Sequence, residues 1–182
     1  MTSEIHSVYK TDGISKQDEK EETVIDFSLT EEQQALQSMA REFALKEMRP
    51  NAAKYDKGHE FPEEIMQKAF AAGFITCNIP QEYDGGGLKE LEIAIISEEL
   101  AAGCAGMFTT IMASSLAFTP IILFGTDEQK KRFLTPFTKK MGFAAFCLTE
   151  REAGSDAGAT KTRAVRNGDH YVINGSKCFI TN

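Results

Sequence analysis

From Asp26 to about Lys140 the apolar positions recur at the three- and four-residue steps of a helical face. Thr30 followed by Gln33 has the capping-box pattern. Leu36, Met39, Ala40, Phe43 and Glu47 continue at helical spacing, and Pro50 is expected to end or kink that helix. A second helix is expected to take Pro62 in its first turn, bury Ile65, Ala69 and Phe70, and stop at Gly73. A loop follows from Asn78 to Gly87, carrying Pro80 and three consecutive glycines. The spacing then predicts a third helix over roughly Leu88 to Ala102 and a charge-free fourth over roughly Cys104 to Phe124. Thr126 with Gln129 repeats the capping-box pattern and opens a short basic helix (Lys130, Lys131, Arg132) expected to end near Pro136.

At about Met141 the period changes to two. Phe143, Ala145 and Cys147 alternate with Ala144, Phe146 and Leu148, the pattern of a strand buried on both faces. A Gly/Ser/Asp loop spans Ala153 to Gly158, and Lys161 to Arg166 alternates as a second strand. Asn167-Gly168 and Asn174-Gly175 are hairpin signals that bracket a third strand, Tyr171 to Ile173. A fourth, Ser176 to Thr181, is expected to be interrupted by the chain end. The expected fold class is therefore α+β and truncated. It divides into a disordered tail over 1–25, a helical bundle over 26–140 and the start of an antiparallel β-domain over 141–182. A sheet ending in mid-strand presents an open apolar edge, so the isolated chain is expected to self-associate or dissolve poorly.

The length of 182 residues suits one domain or one and a half, and 42 % hydrophobic with 26 % charged residues is enough for a real core. A net charge of −7, with no basic cluster interleaved with aromatics, argues against nucleic acid as a partner. Cys77, Cys104, Cys147 and Cys178 form no C-x-x-C pair, which fits a reducing compartment such as the cytoplasm. His6, His59 and His170 are isolated and read as surface or turn residues rather than ligands. Residues 1–25 lack an apolar signal core and contain Asp and Glu but no Arg, unlike secretory or import leaders. Leu100 to Thr126 is uncharged and long enough to span a bilayer. Its Gly, Ser and Thr residues and the lack of an aromatic belt favour a buried bundle helix instead.

The segment with most chemical content is Phe146-Cys-Leu-Thr-Glu-Arg-Glu-Ala-Gly-Ser-Asp-Ala-Gly, followed later by Phe179-Ile-Thr-Asn. Gly154 and Gly158 let backbone approach a ligand, Thr149 and Ser155 offer hydroxyls, and free amides in such a loop suit a phosphate. An ordinary polar turn between strands fits the same residues. Gly85-Gly86-Gly87 lacks the spacing of a dinucleotide fingerprint. Met39, Met48, Met66, Met107 and Met112 read as core, and Glu98, Glu99 and Glu150 as paired or solvated charges rather than bases.

These two segments resemble the signatures of the acyl-CoA dehydrogenase family. The first is similar to its aromatic-x-aliphatic-Thr-Glu start followed by Gly-Ser-Asp. The second, Ile173-Asn-Gly-Ser-Lys-Cys-Phe-Ile-Thr-Asn, is similar to its aromatic-Ile-Thr-Asn motif. The likeness extends upstream through Phe124-Gly-Thr-Asp-Glu-Gln-Lys and Ile79-Pro-Gln-Glu-Tyr-Asp-Gly-Gly, covering about 26–182, and its Phe124 to Asp156 stretch looks most like short-chain or butyryl-CoA members. Arg151 replaces the usual Pro, and Phe179 stands where many members have Trp.

The resemblance implies an oxidoreductase and flavoprotein of fatty acid β-oxidation, whose FAD accepts hydride as an acyl-CoA thioester is oxidised at its α,β-carbons. The middle domain implied is an antiparallel β-barrel. By the same resemblance Phe146, Leu148 and Thr149 would meet the isoalloxazine edge. Ser155 would lie between the flavin pyrophosphate and the CoA of the substrate, Phe179 would pack on the ring and Thr181 would approach N5. The resemblance places no catalytic base in this chain, because the family's Glu comes from a carboxy-terminal helical domain. It also implies an electron-transfer flavoprotein as acceptor and a second polypeptide or homologous subunit to complete the fold. A non-catalytic docking module and an inactive fragment are the alternatives.

Overall fold

Thr30 and Thr126 cap helices as their spacing to Gln33 and Gln129 predicts, each hydroxyl accepting from the third helical amide while the glutamine carbonyl answers the cap's own N–H. The computed structural model describes residues 26–182, so the tail expected over 1–25 lies outside the described residues. From Thr30 the chain forms α1 (Glu31–Phe43), which runs through a π-helical turn and a 3-10 turn at Arg49–Asn51 into α2 (Ala52–Gly58). Pro50 therefore falls where regular α-helix is interrupted, and the short α2 lies beyond the end that the sequence predicts. The second expected helix is α3 (Glu63–Ala71), followed by α4 (Glu90–Gly103), α5 (Ala105–Phe124) and α6 (Asp127–Lys139).

The main core joins α1, α3, α4 and α5 around Ala40, Met48, Met66, Phe74, Leu100 and Ile111. Phe43 meets Phe74 edge-on at 5.2 Å, a favourable aromatic geometry. Met39 is exposed and Phe70 only half-buried, so the apolar faces of α1 and α3 are narrower than expected. A second cluster seats Leu134 of α6 and Phe118 of α5 against Ile79 and Tyr83 of the glycine-rich loop. Pro136 lies inside α6, which continues to Lys139. Nor is α5 buried all round: it is apolar and long enough to cross a membrane, but only 28 % of that stretch is buried. It packs on α4 and α6 and leaves its remaining face open.

Beyond α6 the observed sheet is one hairpin, β1 (Arg163–Asn167) and β2 (His170–Asn174), paired antiparallel from Arg163 opposite Asn174 to Asn167 opposite His170. The α+β class stands. Gly168, at φ 64°, supplies the left-handed position of the two-residue turn. Three strand expectations are corrected. Residues 141–149 form no ladder, and 145–148 are exposed rather than buried on both faces: the Ala144 amide goes to the Ser114 hydroxyl, and the Leu148 amide folds back on the Phe146 carbonyl. β1 begins late because the amides of Lys161 and Thr162 are given to the Glu150 carboxylate. Residues 176–181 form no strand either, since Phe179 turns left-handed at φ 56°. Asn174-Gly175 is likewise no hairpin. A Cβ on Gly175 would stand 2.1 Å from Thr162 Oγ1, so glycine serves a close approach there.

Candidate functional site

The open face of α5 forms one wall of a cleft of about 860 Å³, with α4 on one side and the segments around 146–149 and 179–181 on the other. Phe146, Leu148, Thr149, Phe179 and Thr181 all line it, so five of the six residues singled out from sequence come together in space. Ser155 does not. It sits on the exposed loop after Ala153 and is not among the lining residues.

The cleft is unusual in showing large apolar side chains to solvent. Phe179 is 93 % exposed, and Phe146 and Leu148 are each 42 % exposed. Non-glycine residues seldom adopt a positive φ, and such outliers cluster at functional sites. Phe179 has such a backbone, lines the cleft and packs into no core.

Sequence reasoning missed the helical wall. Phe108, Met112, Ser115, Thr119 and Ile122 recur at alternating four- and three-residue steps and line the cleft together. That spacing was available, but a helix apolar on every side hides which face is free. The wall is less polar than its composition suggests. Thr109 donates to the Ala105 carbonyl and Thr119 to the Ser115 carbonyl, both at 2.8 Å, so these hydroxyls are spent on their own helix. Asn78 adds a polar end and donates to the Ser115 carbonyl at 3.2 Å.

Behind the cleft, Glu150 organises the loops. Its side chain is 8 % exposed and accepts from the Lys161 amide at 2.6 Å and the Thr162 amide at 2.9 Å. Lys177 Nζ stands 2.9 Å from its Oε1. The Thr162 hydroxyl beside it, the Lys161 amide and the Lys177 ammonium hold this carboxyl down to about 2. Lys177 also donates to the Leu148 carbonyl at 2.8 Å, and the Cys178 amide to the Thr149 carbonyl at 3.0 Å. The two signature segments are thereby tied to each other.

Glu99 is likewise paired: Arg41 reaches it through two bonds, Nε at 2.8 Å and Nη2 at 2.5 Å. The hydrogen bonding from Arg41 lowers its pKa, so it serves to join α1 to α4. Ser114, fully buried, accepts from the Ala144 amide at 3.1 Å and from Asn182 Nδ2 at 3.4 Å. It anchors both approaches to the cleft on α5.

Residues 30–141 match the family described as acyl-CoA dehydrogenase, N-terminal domain, and residues 145–182 match acyl-CoA dehydrogenase, middle domain. The chain is 41 % identical over 157 residues to a probable medium-chain specific acyl-CoA dehydrogenase of Caenorhabditis briggsae, covering 86 % of this chain and 38 % of that one. Among solved structures, one described as an electron transferring flavoprotein of Acidaminococcus fermentans, in work on flavin-based electron bifurcation, superimposes with a TM-score of 0.80 at 44 % identity. That match covers 86 % of this chain and 41 % of the other. An acyl-CoA dehydrogenase of Bacillus anthracis complexed with FAD gives a TM-score of 0.77 at 34 % identity, covering 85 % and 27 %. The chain spans about two fifths of the length of the curated relatives it matches.

Proposed function

Since the chain belongs to the acyl-CoA dehydrogenase family, we propose that it builds the helical wall and the first ring-facing segments of an FAD site where an acyl-CoA thioester is oxidised across its α- and β-carbons. The observation that carries this reading is the convergence of Phe146, Leu148, Thr149, Phe179 and Thr181 on one apolar cleft.

The residues present fit a flavin. An isoalloxazine has two flat apolar faces and a polar edge, and the cleft pairs an outward aromatic ring at Phe179 with hydroxyls at Thr149 and Thr181. FAD bound there supplies a hydride acceptor. Phe179 would cover a ring face, and Thr149 and Thr181 would offer donors to the ring edge, where negative charge develops on reduction. The apolar side chains of α5 would exclude water from the reacting carbons. Ser155, on its exposed loop, is proposed for the phosphate-bearing side of the site, with FAD and CoA as its partners.

The general base is proposed to come from the part of the relatives' length that this chain does not span. Both faces of the β1–β2 hairpin are exposed, with Val165 and Ile173 outward, which supports a covering polypeptide or homologous subunit. A short acyl-CoA as substrate, an electron-transfer flavoprotein as acceptor, a place in fatty acid β-oxidation and a cytoplasmic setting complete the proposal. The four free cysteines support the last.

The test is the visible absorbance of the purified chain, alone and with a polypeptide supplying the remaining length, before and after butyryl-CoA. A flavin band that bleaches on substrate is the expected result. No flavin in either preparation would leave a docking module or an inactive fragment.

A further inference from the structure

Neither Lys177 nor Glu150 lines the cleft, yet Lys177 lies in the segment that carries Phe179 and reaches across to the one that carries Leu148. Leu148 is held through its carbonyl by Lys177 Nζ at 2.8 Å, and Thr149 through its carbonyl by the Cys178 amide at 3.0 Å. Phe179 follows directly on those two donors in sequence, and Thr181 two positions later. Glu150 then fixes Lys177 from the far side at 2.9 Å while taking the amides of Lys161 and Thr162. The Lys177 side chain is 24 % exposed and that of Glu150 8 %, so solvent competes little for these bonds. These segments have no strand ladder to hold them: none forms over 141–149, and the chain turns left-handed at Phe179.

We propose that Lys177 is a positioning residue: braced by Glu150, it clamps the segment bearing Phe146, Leu148 and Thr149 to the segment bearing Phe179 and Thr181, and so sets the geometry offered to the flavin. The proposal rests on the FAD reading for its consequence but not for the clamp itself. A site held this way is a rigid receptor only while the supporting contacts persist. Without Lys177 the Leu148 carbonyl loses its donor and Glu150 is left buried with only neutral partners.

The experiment uses the full chain, completed by the remaining polypeptide for flavin work, and compares Lys177→Met and Lys177→Arg with the parent. Amide hydrogen exchange without FAD reads the clamp at the Cys178 amide. FAD titration and the visible circular dichroism of the bound flavin read its consequence. Arg41→Ala, which breaks a different ion pair between α1 and α4, is the control for a merely structural loss. The expected result is faster exchange at Cys178 in Lys177→Met, FAD affinity lower by about tenfold, the worth of one charge-assisted hydrogen bond, and an altered flavin band. Lys177→Arg should recover part of both, and Arg41→Ala should lower the melting temperature while leaving the band unchanged. Unchanged exchange at Cys178 overturns the clamp whatever the flavin does. Faster exchange in a protein whose parent binds no FAD sustains the clamp and rejects the flavin reading. If Lys177→Met does not fold, Lys177→Gln takes its place, and parental exchange at Cys178 in that variant overturns the proposal.

Discussion

Lys177 Nζ and Glu150 Oε1 lie 2.9 Å apart across the two signature segments, and the carboxylate accepts from two further backbone amides. The Glu150 carboxyl is held at about 2, against an ordinary value of 4.5, so the folded state binds its proton later than the unfolded chain does. The stabilisation is therefore fully present above about 4.5 and is lost as pH falls from there toward 2. Thermal melts across this acid window should show a falling midpoint for the parent and a flatter profile for Glu150→Gln. Parallel profiles for the two proteins would assign the acid sensitivity to other groups.

Gly175→Ala tests the same support from the opposite side. The added methyl would collide with the Thr162 side chain, its nearest approach being 2.1 Å to Oγ1, and Thr162 donates its amide to Glu150. Overpacking of this kind costs about 1–3 kcal/mol. Urea unfolding should show a lower midpoint, with the local loss greatest at residues 161–162 by hydrogen exchange. An unchanged midpoint would mean that the loop moves aside freely.

How much of this was legible beforehand depended on whether a feature was local. Thr30 with Gln33 and Thr126 with Gln129 are self-contained caps, and both are observed. Phe146, Leu148, Thr149, Phe179 and Thr181 were found by resemblance, and the cleft they share was not visible in the pattern. The strand expected over Phe143 to Leu148 failed because an unbroken apolar run fits the lip of an open cleft as well as a strand buried on both faces: residues 145–148 are exposed and pair with no neighbouring strand. The Ala144 amide instead goes to a serine thirty positions away in sequence. Pro136 misled for a related reason. Proline ends helices on average, but packing of Leu134 and Phe137 around it carries α6 onward to Lys139. Ser155 belongs to the same motif, yet it stands on an exposed loop and is not among the lining residues.

Ser114→Ala should separate the anchor on α5 from the clamp. The hydroxyl is fully buried and accepts from the Ala144 amide, so its removal leaves that donor without its partner. An unsatisfied buried group of this kind costs about 1–3 kcal/mol. The melting temperature should fall, and the exchange of the Ala144 amide should rise while that of Cys178 stays near the parent's. Equal acceleration at both amides would mean that the two supports open as one unit.

Phe179→Gly addresses whether the exposed ring is kept for binding or for folding. A phenylalanine buried as Phe118 is, at 1 % exposure, typically costs about 3–5 kcal/mol when truncated. Phe179 has almost no packing to lose at 93 % exposure, and its φ of 56° is strained for any residue with a Cβ. Relief of that strain, roughly 1–2 kcal/mol, is offset by the backbone entropy of glycine, roughly 0.5–1 kcal/mol. The expected midpoint in urea is therefore close to the parent's, while Phe118→Ala unfolds far earlier. FAD retention, measured on the completed protein, should show the reverse order, with Phe179→Gly the more damaging of the two at temperatures where both are folded. A large stability loss in Phe179→Gly would show the ring packed inside the fold, and the cleft would lose its aromatic face.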